Sequence, residues 1–126
     1  MGTWGSGNFE NDGANDYLVS LLDSLIMEVG TMLNSQSFEN DDSLDVDDGD
    51  HKIIPAIDIY ITLSEKYDTP PRVDREKAKN WRQTYLTAFD KDTAVYHGNF
   101  KLERRRMIKE TFDRLDELIR SWPNNP

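Results

Sequence analysis

Hydrophobic residues recur at intervals of three and four over long stretches of this chain, and that spacing places them on one face of an α-helix. The first such stretch carries leucine, isoleucine, valine and methionine from Leu18 to Leu33. The spacing predicts helices over residues 14–33, 75–89 and 100–123. The charged residues between the hydrophobic positions would then form the outer faces.

Residues that favour helix ends flank two of these segments. Asn11 and Asp12 are placed to cap the first helix, and Asp74 is placed to cap the helix over 75–89. The sequence Asp-Thr-Pro-Pro at 68–71 predicts a break before that helix, because proline cannot continue a helix and restricts the residue before it.

The segment over 53–63 fits two structures. Ile57, Ile59 and Ile61 alternate with other residues as they would in a β-strand. Polar residues of the same segment also form one stripe at helical spacing, with Asp50 in position to cap the helix. Because no other segment offers a second strand to pair with, we favour a helix.

Four amphipathic helices joined by polar connectors predict an all-α fold, a bundle whose hydrophobic faces meet in one core. The chain has 126 residues, the size of one ordinary domain, so we expect a single helical domain over 1–126. Two segments lie outside the helices: a glycine-rich N-terminal segment, 1–13, and an acidic loop, 38–50.

Charge is divided unevenly along the chain. Residues 1–51 contain twelve Asp and Glu residues and no Lys or Arg, whereas the other twelve acidic residues and all fifteen basic residues follow. The net charge is −9. Nucleic-acid binding relies on Lys and Arg to neutralise phosphates, so we expect no nucleic-acid partner and instead a basic protein partner.

The acidic loop is the predicted partner-binding site. We expect a solvated loop whose carboxylates attract a basic surface and raise the association rate. Its predicted contact residues are Glu39, Asp41, Asp42, Asp45, Asp47, Asp48 and Asp50. A calcium-binding loop does not fit, because aligning Gly49 with the invariant glycine places Leu44, Val46 and Pro55 at ligand positions. A solvated acidic run without a partner is the alternative interpretation.

The sequence contains no arrangement typical of an enzyme. There is no cysteine, and the two histidines, His51 and His97, lack the spacing of a zinc site. No Gly-x-Ser-x-Gly motif and no P-loop is present. Acidic pairs one helical turn apart, such as Asp113 and Glu117, are typical of a solvated helix surface. We therefore predict no catalytic residues, no metal site and no cofactor.

The sequence has one cluster of basic residues, on the last predicted helix: Lys101, Arg104, Arg105, Arg106 and Lys109. Three consecutive arginines point in different directions around a helix, so they would not line one groove. Arg106 and Glu110 can pair at a spacing of four. We expect these bases to meet the acidic N-terminal half of the same chain, or solvent, rather than nucleic acid.

The first sixteen residues carry the motif Trp-Gly-x-Gly-x-Phe-x-Asn-Asp-x-Ala-x-Asp. The matching positions are Trp4, Gly5, Gly7, Phe9, Asn11, Asp12, Ala14 and Asp16. With this opening the chain resembles the bacterial domain of unknown function family 4259, whose members have a helix after the motif. The chain differs mildly from that pattern, with Asn8 where proline is common and Tyr17 where tryptophan is common. The resemblance implies no established activity, but small acidic proteins of this kind fit among immunity proteins that neutralise toxins.

The same motif has a structural interpretation. Its glycines would let the chain turn tightly and pass close to another backbone, so that Trp4 and Phe9 fold back onto the bundle as hydrophobic plugs. We interpret the motif as an N-terminal lock rather than an anion site, because Glu10, Asp12 and Asp16 would repel a phosphate.

The sequence thus predicts a non-enzymatic, acidic protein-interaction module. Its most concrete form is an immunity-type protein that neutralises a basic toxin such as a nuclease; the alternative is a regulatory domain that binds a small molecule or a divalent cation. We expect a cytoplasmic protein, because the chain has no cysteine and its start shows no signal-peptide pattern. We expect no membrane partner, because no apolar stretch reaches the length of a membrane span. We expect a monomer or a weak dimer.

Overall fold

The computed structural model describes residues 3–33, 47, 49–93 and 95–122 of the chain. These residues form four long α-helices: α1 over Asp12–Leu33, α2 over Ile54–Lys66, α3 over Arg75–Lys91 and α4 over Gly98–Arg120. A short π-helical turn, Gly49–Ile53, leads directly into α2. The all-α prediction is confirmed, because the described ranges contain no β-strand and only one isolated β-bridge.

The predicted helix boundaries agree with the structure within about three residues, the largest differences being at the ends of α2 and α4. Helix α1 starts slightly earlier than predicted and ends at the predicted Leu33. Helix α3 extends to Lys91, and α4 starts at Gly98, whose φ of +58° is accessible to glycine without strain. The buried hydrophobic residues of α1 have the expected spacing of three or four: Leu18, Leu22, Ile26, Val29 and Leu33.

The ambiguous segment before the Asp-Thr-Pro-Pro break is helical, so the strand alternative is wrong. Ile57 and Ile61 are buried, whereas Ile59 between them is exposed, and burial therefore follows helical spacing. The predicted capping by Asp50 is also wrong. Ile53 occupies the N-cap position without a side-chain hydrogen bond, because the Asp50 carboxylate has other partners.

The four helices form a ring around one core. Helix α2 lies between α1 and α4, α4 packs against α3, and a smaller contact between α3 and α1 closes the ring. The largest buried side chains are Trp81, Tyr60, Tyr85, Phe89 and Phe112. Removing such side chains from water is the main driving force for folding. None of the described helices is long and apolar enough to cross a bilayer.

The two segments that the sequence singled out attach at opposite ends of α2. Phe9, which precedes α1, packs edge-on against Tyr67, which follows α2, with the ring centroids 4.6 Å apart. The chain that follows the acidic segment enters α2 from the other end, through the turn that starts at Gly49. Since α2 has 13 residues, its length separates these two ends by about 20 Å.

The connection between α2 and α3 is fixed by hydrogen bonds. The Arg72 backbone N–H donates to the Tyr60 hydroxyl at 2.8 Å. The Asp74 Oδ1 accepts a bond from the Lys77 backbone N–H at 2.7 Å. The predicted role of Asp74 as the cap of α3 is therefore confirmed.

We expect the substitution Asp74→Ala to lower the free energy of unfolding by about 1 kcal/mol, because the Lys77 N–H loses its acceptor. Asp74→Asn is the matched control, since its amide oxygen can accept the same bond. Urea denaturation of the three proteins measures the difference. An asparagine variant as unstable as the alanine variant would show that the cap is not the cause.

Candidate functional site

Asp50, the last residue of the predicted acidic loop, is buried. Only 9% of the residue is exposed. Its carboxylate accepts hydrogen bonds from the Tyr85 hydroxyl at 2.7 Å, from the Arg104 Nε at 2.9 Å and from the Tyr96 hydroxyl. The contact with Arg104 is also an ion pair. The buried carboxylate therefore has a charged partner and two neutral donors within the chain.

These partners set the ionisation of the cluster. Burial alone would raise the pKa of Asp50, but the hydrogen bonds from Arg104, Tyr96 and Tyr85, together with the charge of Arg104, hold that pKa below its ordinary value of 3.8. Burial and the adjacent carboxylate raise the pKa of the Tyr85 hydroxyl. At neutral pH the cluster is therefore an ion pair with two protonated tyrosines.

The prediction that Asp50 contacts a partner protein is wrong, because its carboxylate faces the interior. Gly49 beside it is buried as well, and a Cβ atom there would lie 2.9 Å from the Tyr85 ring, too close for most real contacts. Only glycine fits this position without displacing the ring. The turn therefore anchors the end of the acidic segment to α3 and to the start of α4.

The other predicted contact residues of the acidic loop have a different status. Asp47 is exposed, and its carboxylate lies 3.6 Å from the His51 Nε2. The remaining five lie outside the described residues: Glu39, Asp41, Asp42, Asp45 and Asp48. Partner binding by these carboxylates stays a prediction.

The N-terminal motif forms a closed loop, Thr3 to Asn11, which we call the signature loop. Its first and last residues form the isolated β-bridge. The Trp4 N–H donates to the Glu10 carbonyl oxygen at 3.0 Å. The Asn11 Oδ1 accepts from the Ala14 N–H at 2.8 Å, which confirms Asn11 as a cap of α1.

Two glycines of the signature loop lie against the side chain of Glu10. Its carboxylate lies against the backbone of Gly5 and Gly7, in space that a Cβ atom at either position would occupy. Neither glycine has a positive φ. A Cβ atom at either position would displace the exposed end of the Glu10 side chain, whereas the backbone conformation itself does not require glycine.

The two aromatic residues of the signature loop differ in their surroundings. Phe9 is half-buried and packs against Tyr67 and the core. Trp4 is 56% exposed, so the prediction that it plugs the bundle is wrong. Backbone hydrogen bonds fix the loop while the Trp4 side chain stays accessible. Tryptophan is among the residues most enriched at energetically important positions of protein interfaces.

An open cleft of about 480 Å³, which we call the signature cleft, separates the signature loop from the end of α2. Among the residues that line it are Trp4, Phe9, Glu10, Lys66, Tyr67 and Asp68. The Lys66 ammonium lies 5.3 Å from the centre of the Tyr67 ring. Asp68 has a φ of +50°, a left-handed conformation that is uncommon for residues other than glycine.

The outer face of α1 combines exposed apolar side chains with acidic ones. Tyr17 is 67% exposed, Met27 is 69% exposed, and Leu21 is also accessible. All four charged residues of the helix are acids: Asp12, Asp16, Asp23 and Glu28. Within the described part of the chain, only Asp23 has an ion pair, with Arg72 at 3.0 Å. Helix α1 therefore contributes negative charge and apolar area and no base, although Met27 lines a groove together with Arg72 and Lys77 from the following segments.

The three consecutive arginines of α4 all have partners within the chain, but only Arg104 has the predicted kind of partner in the acidic N-terminal half, and Arg106 has the predicted Glu110. Each one points to a different partner, so together they line no common groove. One of the three partners, Asp50, comes from the acidic N-terminal part of the chain. The ion pairs are Arg104–Asp50 at 2.9 Å, Arg105–Asp90 at 2.8 Å and Arg106–Glu110 at 2.8 Å.

Several residues at these sites were not predicted from the sequence. Lys66, Tyr67 and Asp68 stand at the end of a helix, and nothing near them indicates that they face the N-terminal motif. One signal was available for Tyr17, because it falls outside the series of buried positions of α1. Over the residues that the structure describes, no group of three or more His, Asp or Glu residues could hold a metal ion.

The fold and these surfaces define a small helical domain with an acidic, aromatic N-terminal side. The family described as Domain of unknown function (DUF4259) matches residues 2–125. The chain therefore belongs to that family. No curated protein and no solved structure matches the chain significantly. Its function has to be argued from the surface that the fold presents.

Proposed function

We propose that this protein is a non-enzymatic interaction module that binds a basic protein surface. The contact would be made by its N-terminal surface, which we define as Trp4, Tyr17, Leu21 and Met27 with the carboxylates around them. The observation that carries the proposal is the outer face of α1. Three large apolar side chains are exposed there, on a helix whose charged residues are all acids.

The two kinds of side chain on this surface contribute differently to binding. Tyrosine and tryptophan bury a large area at a small cost in conformational entropy, so they supply affinity. Carboxylates attract a basic partner over several ångströms, so they supply speed of association and discrimination against acidic proteins. Asp16 and Glu28 are exposed on α1 together with Tyr17 and Met27, which supports a joint role.

The concrete form of the proposal is an immunity-type protein in the cytoplasm that covers the cationic site of a toxin such as a nuclease. A nuclease binds phosphate groups with Lys and Arg, so it presents the charge that complements the N-terminal surface. Such a protein acts by occupying the toxin's site. It needs complementary charge and shape and no catalytic residues of its own.

The double substitution Asp16→Lys and Glu28→Lys tests the proposal. We expect it to slow association with the partner at least about tenfold, because it replaces attraction by repulsion. The partner is first identified by enrichment from the source organism on the wild-type chain. Its association rate is then measured at about 50 mM and about 300 mM salt, and that rate should fall as salt screens the charges.

The matched control is Glu103→Lys with Glu117→Lys, which changes the net charge equally but on the exposed side of α4. The control should associate nearly as fast as the wild type. Equal slowing by both double variants would mean that net charge alone acts. No enriched protein, or an association rate indifferent to salt, would contradict the proposed function.

A further inference from the structure

The signature cleft brings an accessible tryptophan together with two carboxylates. Trp4, Glu10 and Asp68 all line it, and all three are exposed. Neither carboxylate has an ion pair within the ranges that the structure describes. The cleft therefore offers, in one concave place, an accessible aromatic side chain and two carboxylates without an ion pair, beside the single ammonium group of Lys66.

A cation already lies on an aromatic ring in this cleft. The Lys66 ammonium is over the Tyr67 ring, 5.3 Å from its centre, and is not within ion-pair distance of a described carboxylate. The electron-rich face of an aromatic ring attracts a cation. The Tyr67 face is thus occupied from within the chain, whereas the Trp4 side chain remains accessible.

The elements that form the cleft are also fixed in place. Backbone hydrogen bonds close the signature loop, and the Phe9 ring joins it to Tyr67 at 4.6 Å. Trp4 is therefore accessible on an ordered support and not on a loose end. A site whose parts are held before binding loses less entropy when the ligand arrives.

We propose that the signature cleft binds an arginine side chain of the partner protein, with the guanidinium group stacked on Trp4 and paired with Glu10 and Asp68. This inference rests on the proposed function, because it takes the partner to be a basic protein, and it adds the residue type that anchors it. Arginine suits the cleft better than lysine. Its planar guanidinium can stack on an indole ring and hydrogen-bond a carboxylate at the same time.

The experiment uses blocked arginine, N-acetyl-arginine-N-methylamide, which resembles an arginine within a chain. It is titrated into the full-length protein, and the indole N–H signals of the three tryptophans are followed by NMR. We expect a saturable shift of the Trp4 signal, with the buried Trp81 unmoved. The citrulline analogue, which lacks the charge, should bind at least about tenfold more weakly, and the lysine analogue should also be weaker.

Three variants identify the residues involved. Trp4→Ala removes the reporting indole, so its binding is followed by the backbone N–H signals of the other cleft residues, which should not shift. Glu10→Gln and Asp68→Asn should each weaken binding at least about threefold. Asparagine tolerates the positive φ at position 68, so that variant keeps the backbone. Asp58→Asn is the matched control, because Asp58 lies on α2 outside the cleft and pairs with Arg114; its binding should equal that of the wild type.

Three results would overturn the inference. The first is no shift of Trp4 at saturating blocked arginine in a folded protein. The second is equal binding of the citrulline analogue. The third is tighter binding of free arginine than of the blocked form, which would indicate a site for a small molecule. Any of these leaves the charge test on α1 unaffected, so failure of the arginine site and failure of the proposed function can be told apart.

Discussion

Replacing Asp50 with alanine should lower the free energy of unfolding by about 3 kcal/mol, because it leaves Arg104 unpaired beside two tyrosine hydroxyls without their acceptor. This loss is at the lower end of the cost of breaking a buried ion pair. About a quarter of the Arg104 side chain, 26%, is exposed, so water can replace part of the lost interaction. Chemical denaturation monitored by circular dichroism measures the loss.

The same carboxyl should give a pH dependence. A carboxyl whose pKa is lower in the folded than in the unfolded chain stabilises the fold above its unfolded value, here near 3.8. That stabilisation is lost as the pH falls through the lower, folded value. The unfolding free energy of the wild type should therefore decrease below about pH 4 by an amount that Asp50→Asn does not show.

The control for the stability measurement is Asp90→Ala. Asp90 makes the same kind of contact, two hydrogen bonds to Arg105 at 2.8 and 3.1 Å, but both side chains are well exposed. Exposed pairs contribute little, so the loss should stay below about 1 kcal/mol. If Asp50→Ala cost no more than Asp90→Ala, the buried cluster would not be the anchor that its geometry indicates.

The substitution Phe89→Ala should have an equal or larger effect, about 3–5 kcal/mol, because it opens a cavity in a fully buried part of the core. Phe89 also supports the Asp50 cluster, since its ring lies 5.7 Å from that of Tyr96. Equilibrium unfolding of the single variants and of the double variant with Asp50→Ala measures both effects. The two losses should not add, because the variants share Tyr96.

Phe100 provides the matched residue for this test. It carries the same side chain, but it is largely exposed, and among the described aromatic rings it stacks on that of Tyr96 alone, with the ring centroids 5.5 Å apart. Phe100→Ala should cost less than about 1 kcal/mol. A similar cost for both phenylalanines, or full additivity of Phe89→Ala with Asp50→Ala, would contradict the packing described.

The features of the fold that the sequence predicted correctly are those that helical spacing determines. The buried series of α1, from Leu18 to Leu33, follows from residues that are neighbours on one helix face. The cap of α3 follows from Asp74, whose side chain accepts a hydrogen bond from the backbone N–H of Lys77, three residues later. Both features depend on residues within about one helical turn, so a single sequence contains all the information that they need.

Asp50 shows why the candidate site was harder to predict. In the sequence it looks like the acidic residues before it, and its partners Tyr85, Tyr96 and Arg104 are 35, 46 and 54 positions away. No pattern among neighbouring residues indicates contacts between positions so far apart in the chain. The neighbouring glycine was a weak sign, because Gly49 allows the chain to approach the Tyr85 ring closely.

Trp4 shows a different limit of sequence reasoning. Large aromatic residues are buried on average, and that preference led to the prediction of a plug. In the structure one aromatic residue of the loop, Phe9, occupies the place against Tyr67, and the hydrogen bonds of the loop hold Trp4 outside. Which of two nearby aromatic residues is buried depends on the exact path of the backbone.

The range of the Asp50 contacts has a consequence for how the chain folds. Helices α3 and α4 are joined by only residues 92–97, so their contacts can form early between segments that are close in the chain. The Asp50 cluster can form only after a much longer loop has closed, at a larger cost in chain entropy. We therefore expect this ion pair to be absent from the transition state for folding. An ion pair that forms after the transition state slows unfolding without accelerating folding.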